Sequence, residues 1–412
     1  MSRVDQLSPR AADRHPARPG TLRGHNLGLA LRCVAANCGE ISRAGISVST
    51  GLNRSTASSL VDELIGGGLV RELGATARSG VGRPPTALAL ASDGPAGLGL
   101  DVNVDYVAAC VVDLTGNVRY QHVVAQDQRG HTAREVLDRV SGLAKGALAA
   151  MEASGLTLCG TGVAVPGLVN RASGTVVLAP NLGWHDLDIG EILRWHALGD
   201  HFMLDNEANF AALSEDALLR ADRSYLYMNG QIGVGAGIVL GGELYRGRHG
   251  WSGEVGHQTI RGDGPVCGCG RRGCLEQYAG HEAILRAAGM PAAAGTTFGV
   301  SPTANLIRER AERGDQRTIE ALDRSGSALG VVLAGCLNLL DLDLIVLGGI
   351  YRELAAWIVP AIEREVADRF VGARWSQPSI DTATYGAEAP ALGAARSVVR
   401  GIIHDPVRWL SR

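Results

Sequence analysis

Gly253-Glu254-Val255-Gly256-His257, followed by Cys267-Gly268-Cys269-Gly270-Arg271-Arg272-Gly273-Cys274-Leu275-Glu276, is the most informative stretch of this chain. One histidine and three cysteines are set among glycines and flanked by two carboxylates. Three thiolates and an imidazole suit a closed tetrahedral Zn2+ site, with His257, Cys267, Cys269 and Cys274 as ligands. The glycines allow the tight turns that bring these side chains to one point. The plainer alternative is a buried histidine beside surface cysteines. A disulfide is disfavoured, because Cys-x-Cys makes a strained local bridge and an odd thiol would remain.

The chain of 412 residues is long enough for two or three domains and can bury ample core without covalent staples. Eight cysteines are too few for a disulfide scaffold of this size. Cys33, Cys38, Cys110, Cys159 and Cys336 lie in apolar or helical contexts and are expected to be reduced core thiols, which implies a cytoplasmic location. No run approaches the roughly twenty apolar residues of a membrane helix, and no apolar signal-peptide core precedes the first helix. Lys145 is the only lysine. Residues 1–90 carry eleven Arg against six Asp and Glu, a net of +5, whereas the remainder carries 28 basic and 36 acidic groups, a net of −8. A basic first segment on an acidic body suggests a polyanion-binding head.

Residues 1–24 lack periodicity and are expected to form a mobile leader. From Asn26 the pattern turns helical, with Leu27, Ala30, Leu31 and Val34 on one face and Gly39 as the stop. A second helix is expected over 42–49, a polar turn over 50–53 and a third helix over 54–65, ended by Gly66-Gly67-Gly68. Residues 69–73 and 86–90 pair as strands around a Gly- and Arg-bearing loop at 79–85. This order is that of a winged helix-turn-helix over 25–92. Its third helix would enter the major groove by its N-terminal end. Arg54 is a candidate for a guanine edge or a phosphate, and Ser55, Thr56 and Ser58 for phosphates or bases. Arg83, stiffened by the following prolines, suits a wing tip in the minor groove. The alternative is a small helical interaction domain with solvated arginines.

The body reads as α/β. A hairpin is expected over 97–116, a helix over 133–152 and a buried strand over 160–165 ending at Pro166-Gly167. A strand over 201–204 delivers Asp205-Asn206-Glu207-Ala208-Asn209 at its C-terminal end, where α/β sheets bind ligands. A second hairpin covers 225–240, a later strand and turn 344–349, and a last helix 389–401. Residues 291–304 are expected to be a surface loop.

Together these pieces resemble the ROK family of bacterial sugar kinases and sugar-responsive repressors. The resemblance rests on Gly253–His257, the Cys267–Glu276 run and Asn206-Glu207-Ala208-Asn209, with weaker support from Pro166-Gly167 and Asn181-Leu182-Gly183-Trp184. It implies a two-lobed actin-like ATPase fold over 96–404, with lobe 1 at about 96–214 plus a C-terminal helix at about 386–404 and lobe 2 at about 215–385. It also implies structural Zn2+ on the four ligands above, and sugar contacts at Gly167, Asn181, Asn206, Glu207, Glu254, His257 and Glu276. Members with such a head are similar to xylose and N-acetylglucosamine repressors. Simple support of the metal ligands from behind is the alternative role for Glu254 and Glu276.

Three departures from the kinase pattern argue against phosphoryl transfer. Glu207 stands where family kinases carry the Asp base, and one added methylene misplaces a proton acceptor that must sit within about 3 Å. Asp101-Val102-Asn103-Val104-Asp105 lacks the two glycines of the first phosphate loop and adds a negative charge. Gln231-Ile232-Gly233 replaces the Gly-Thr-Gly of the second. The expected function is therefore a sugar-responsive DNA-binding regulator, more in the manner of a repressor, acting on operator DNA as a homodimer or dimer of dimers without membrane contact. An ATP-dependent sugar kinase with an attached DNA-binding domain is the alternative.

Overall fold

The structure, a computed structural model, describes residues 19–37, 39–73, 86–195, 202–215, 223–291 and 300–411. It divides into two compact units, one holding the residues up to Gly94 together with those from Arg400 onward, the other Pro95–Val399.

In the first unit α1 (Pro19–Ala36), α2 (Arg43–Thr50) and α3 (Arg54–Gly66) precede β1 (Val70–Glu72) and β2 (Leu88–Leu90). Residues 19–24, expected in the leader, are already helix; residues 1–18 lie outside the described residues. Pro19 is preorganised for a first helical turn, and Gly24 lies against Val407, a partner that local periodicity does not reveal. Ser42 caps α2 by accepting from the Gly45 N–H at 3.2 Å, and α2 ends at Gly51 with φ of 73°. Asn53 caps α3, accepting from the Thr56 N–H at 2.8 Å. Leu27, Leu31, Val34, Ile46, Leu60, Val61 and Leu64 are buried, as the helical spacing requires. Arg43 bonds both Asp62 on α3 and Glu72 on β1. Such half-exposed pairs contribute at most about 1 kcal/mol each, so their main effect is to orient α3 against the hairpin. β1 and β2 are antiparallel, with Arg71 opposite Ala89.

The second unit begins with β3 (Pro95–Val102), β4 (Tyr106–Asp113), β5 (Val118–Ala125), α4 (Ala133–Ala153) and β6 (Thr157–Val165). A small antiparallel flap follows, of β7 (Leu168–Asn170), β8 (Thr175–Ala179) and β9 (Trp184–Asp188). Then come α5 (Ile189–Trp195), β10 (Phe202–Asn206) and α6 (Glu207–Ser214). The first sheet has the order β10-β6-β3-β4-β5. Its centre is buried on both faces, which is why β3 and β4 read as continuous apolar runs.

The second sheet is built from β11 (Tyr225–Gly230), β12 (Val234–Leu240), β13 (Glu243–Tyr245), β14 (Leu344–Gly349) and β15 (Ser379–Thr382), in the order β13-β12-β11-β14-β15. Between and after these strands lie α7 (Glu276–Ala279), α8 (His281–Ala287), α9 (Val300–Glu312), α10 (Gln316–Leu340) and α11 (Ile350–Arg369). The expected loop over 291–304 is corrected at its end, because residues 300–304 start α9 with Thr303 and Ala304 buried; residues 292–299 lie outside the described residues. Apolar Ile307 and Ala311, one and two turns beyond, anchor α9 to the core.

The last long helix, α12 (Ala389–His404), packs its alanines on β3 and β6. A Cβ on Gly99 would collide with the Ala391 carbonyl, so the glycines of that strand are what let helix and sheet meet at backbone distance. From Arg400 the chain groups with the first unit, where α13 (Val407–Leu410) follows. The Trp409 indole N–H donates to the Gly67 carbonyl at 2.8 Å, just beyond α3, and Leu410 lies against Gly67. The unit boundary thus falls before the 404 limit expected for the body. The thiols of Cys110, Cys159 and Cys336 are buried and Cys33 is half-buried; Cys38 lies outside the described residues. Among the described residues no helix is long and apolar enough to cross a membrane.

Candidate functional site

All seven residues named for sugar contact, Gly167, Asn181, Asn206, Glu207, Glu254, His257 and Glu276, line one cavity of the second unit. It measures about 740 Å3 including its open mouth. Among the described residues no lysine or arginine lines it. Gly167 turns the chain out of β6 with φ of 87°, next to the Leu178 carbonyl. Asn181 is exposed on the short turn at Pro180–Leu182.

Asn206 caps α6. Its side-chain oxygen accepts from the Ala208 N–H at 2.8 Å and its amide donates to the Gly167 carbonyl at 3.0 Å. Much of its hydrogen-bonding capacity therefore holds the cleft together, a task the sequence pattern did not announce. Glu207 starts α6, and its Oε2 is buried without a hydrogen-bond partner. Burial, reinforced by Asp101 and Glu254, holds this carboxyl well above the usual carboxylate range. Glu254 is likewise pushed up, mainly by burial, with Glu276 adding to the shift and His257 opposing it.

The turn at 101–105 has no glycine, and the Asn103 side chain accepts from the Val104 N–H at 2.7 Å. Asp101 and Asp105 are both buried. Burial raises Asp101 from its ordinary 3.8 to about 8, with Tyr106 opposing and Asp105 adding to the shift. The folded chain thus favours protonated Asp101. That stabilisation is fully present below pH 4 and is lost as pH rises through about 8. We expect the unliganded protein to lose roughly 2 kcal/mol between pH 6 and pH 8 through this group. Thermal melts of Asp101→Asn should show a visibly flatter pH dependence than wild type; an unchanged slope would assign the effect elsewhere.

Beside the cavity, His257, Cys267, Cys269 and Cys274 bring one donor atom each within 4.8 Å of one another. Cys269 and Cys274 sulfurs are 3.7 Å apart, and Cys267 Sγ is 3.8 Å from His257 Nδ1. Those spacings match the edge of a tetrahedron with arms of about 2.3 Å, roughly 3.8 Å, as a thiolate-bound Zn2+ requires. The local fold explains the convergence. Cys274 bridges Thr259, Val266 bridges Arg272, and the Cys267 N–H donates to the Arg271 carbonyl at 2.7 Å. Gly273, with φ of 67°, packs on the Arg261 carbonyl where no side chain fits. Burial pushes the Cys274 thiol up to about 12, so a cation must displace its proton on binding. His257 turns Nδ1 to the sulfurs and holds Nε2 at 3.9 Å from Glu254 Oε2. Glu276 Oε1 lies 3.7 Å from Cys267 Sγ. Both carboxylates therefore touch the cavity and a member of the cluster at once.

In the first unit Arg54 and Ser55 are exposed on the opening turn of α3, Thr56 and Ser58 are half-buried, and Ser59 is exposed. Ser55 donates to the Asn53 side chain at 2.8 Å. Arg83 lies outside the described residues. Sequence reasoning passed over Arg171 and Arg246. They approach the buried Asp205 carboxylate through their Nε atoms at 3.3 and 2.7 Å. Asp205 is thus engaged by two guanidiniums and does not line the cavity.

A family model described as ROK family matches residues 97–400. The xylose repressor of Bacillus spizizenii is 32% identical over 363 residues, covering 87% of this chain and 91% of that protein. A solved ROK family transcriptional regulator, a homolog of the E. coli MLC protein, superposes with a TM-score of 0.77 at 24% identity, over 95% of this chain and all of that one. A ROK family glucokinase from Streptomyces griseus, in complex with glucose and AMPPNP, superposes with a TM-score of 0.61 at 26% identity, over 73% of this chain and 98% of its own.

Proposed function

The chain belongs to the ROK family, and from that premise we propose that it is a sugar-responsive transcriptional repressor. The observation that carries this is the extent of its likeness to a xylose repressor, 87% of the chain, when the family model itself starts only at residue 97. The helical head with its exposed Arg54 and Ser55 fits operator binding, and Arg83, outside the described residues, is the second proposed contact. The protein acts as a symmetric homodimer in the cytoplasm, its two heads matched to paired half-sites.

The cavity takes an uncharged sugar through Asn181, Glu207, Glu254, His257 and Glu276. Carboxyls and an amide exchange hydrogen bonds with vicinal hydroxyls and reject ligands that lack them. Zn2+ fits the His257, Cys267, Cys269 and Cys274 donor set and would supply cross-linking rather than chemistry. His257, fixed by that set, presents its other nitrogen toward Glu254. The sugar favours one arrangement of the second unit and shifts operator affinity by its differential affinity for the two states.

Phosphoryl transfer is not part of this reading. Burial pushes the Glu207 carboxyl up, away from the ionised form a base needs, and among the described residues no lysine or arginine lines the cavity to receive phosphate oxygens. A gel shift with the protein's own upstream region, with and without D-xylose, D-glucose or N-acetyl-D-glucosamine, tests the proposal. Arg54→Ala should weaken operator binding by about tenfold or more, the scale of one lost base or phosphate contact. Equal binding by variant and wild type would remove Arg54 from the interface, and ATP-dependent turnover of any of these sugars would favour the kinase.

A further inference from the structure

Three of the segments that line the cavity share a second set of contacts. The first leaves Gly167, passes Val169 on β7 and reaches Arg171. The second is the end of β10, where Asp205 and Asn206 lead into Glu207. The third follows β13 through Arg246 and Trp251 to Glu254 and His257. Each segment carries both a cavity residue and one member of a single ion triad. Asp205 is fully buried, and its Oδ2 accepts Arg246 Nε at 2.7 Å and faces Arg171 Nε at 3.3 Å. Its Oδ1 accepts from the Asn206 N–H at 2.9 Å and from the Asn209 amide at 2.8 Å. Two further bonds tie the same segments together: Asn206 to the Gly167 carbonyl at 3.0 Å, and the Trp251 indole to the Val169 carbonyl at 3.3 Å.

Asp205 is not among the residues that line the cavity. It belongs to the first sheet, Arg171 to the flap, and Arg246 follows the edge strand of the second sheet. The carboxylate therefore sits where these three parts meet, and a guanidinium on a buried carboxylate is directional as well as charged. We infer that Asp205 is a positioning residue. With Arg171 and Arg246 it holds the flap, the first sheet and the second-sheet arm at the separation at which one sugar reaches all three, and a change in that separation is how sugar binding leaves the cleft. The inference rests on the repressor reading for its output and on sugar binding for its input.

The test uses the full-length, metal-loaded protein, with D-xylose, D-glucose and N-acetyl-D-glucosamine as probes in calorimetry, and the protein's upstream DNA in a gel shift. Asp205→Asn keeps an oxygen for the Asn206 and Asn209 donors and removes the charge that two arginines share. Its sugar Kd should rise by about tenfold or more, the scale of a misplaced contact. Operator affinity without sugar should stay near wild type, and the ratio of operator affinities with and without saturating sugar should collapse toward one. If Asp205→Asn does not fold, Arg171→Ala and Arg246→Ala carry the same expectation, and Arg246→Lys should recover part of the ratio because it restores a cation opposite Asp205. A lower melting temperature with sugar Kd and operator ratio both at wild-type values would mark the triad as structural only and overturn the inference. A wild type that binds a probe sugar but no DNA would sink the repressor reading instead, leaving the sugar Kd of the variants to judge the triad.

Discussion

Cys274→Ser should reduce bound zinc from about one per chain, the content of a single four-ligand site, to almost none. Sugar affinity should fall by about a hundredfold, the cost of misplacing contacts by roughly 1 Å. Cys274 is fully buried, and its sulfur lies 3.7 Å from that of Cys269. A serine oxygen is harder and sits on a shorter bond, so it cannot close the same tetrahedron on a soft thiolate set. Between the short turn at Val255–His257 and α7 the surrounding stretch has no regular helix or strand; it is held by isolated bridges at Thr259–Cys274 and Val266–Arg272 and by a few backbone bonds, such as the Ile260 N–H to the Gly273 carbonyl at 2.7 Å. Metal binding energy is therefore folding energy for this segment. The consequence reaches the cleft because His257 belongs to the cluster while Glu254 and Glu276 each touch one of its members. Operator binding without sugar should survive, since the head is a separate compact unit. Elemental analysis, calorimetry and a gel shift on the same preparation check all three statements. Wild-type sugar affinity in a metal-free Cys274→Ser protein would show that the cluster does not support the cleft.

What could be read from the sequence divides along physical lines. The cluster was legible because soft ligands at short spacing among glycines have few other uses. The three head helices were legible because caps, apolar spacing and terminal glycines agree with one another. The strands β3, β4 and β14 announced themselves as apolar runs. The flap did not, because its short strands alternate weakly and β9 is half exposed. The helices α10 and α11, although long, carried no sequence assignment. Their small residues, such as Gly326 and Gly330, blur the period, and these glycines pack directly on Ile358 and Ile362 of the partner helix. Pairings distant in sequence were also hidden. The Trp409 bond to Gly67 spans nearly the whole chain, and the Asp205 triad joins three segments that no local pattern connects. Asn206 was found by its motif, but its work as a cap and as a tie to Gly167 needed the fold to be seen.

Glu207→Ala should weaken sugar binding by about a hundredfold or more, because a site built around a hydroxyl partner loses both the bond and the shape that enforces it. Glu207→Gln, in contrast, should stay within about tenfold of wild type near neutral pH, the scale of a hydrogen-bond geometry change rather than a lost group. The reason is the state of the carboxyl. Burial, with Asp101 and Glu254 adding to it, pushes the Glu207 carboxyl up and favours its protonated form, in which the amide presents a donor and an acceptor as the acid does. Raising the pH toward the elevated pKa should weaken sugar binding in wild type and leave Glu207→Gln less affected, because only the acid loses its donor. The same upward shift works against Glu207 as a general base, which must be ionised to take a proton from the sugar hydroxyl. Shortening the side chain in Glu207→Asp should therefore produce no sugar phosphorylation with ATP. The turn at 101–105 still lacks glycines and carries buried Asp101 and Asp105, and among the described residues no arginine or lysine lines the cavity. A coupled ATP assay decides the point. Turnover by Glu207→Asp would mean that one methylene, rather than the phosphate-binding loops, separates this chain from the kinases of its family.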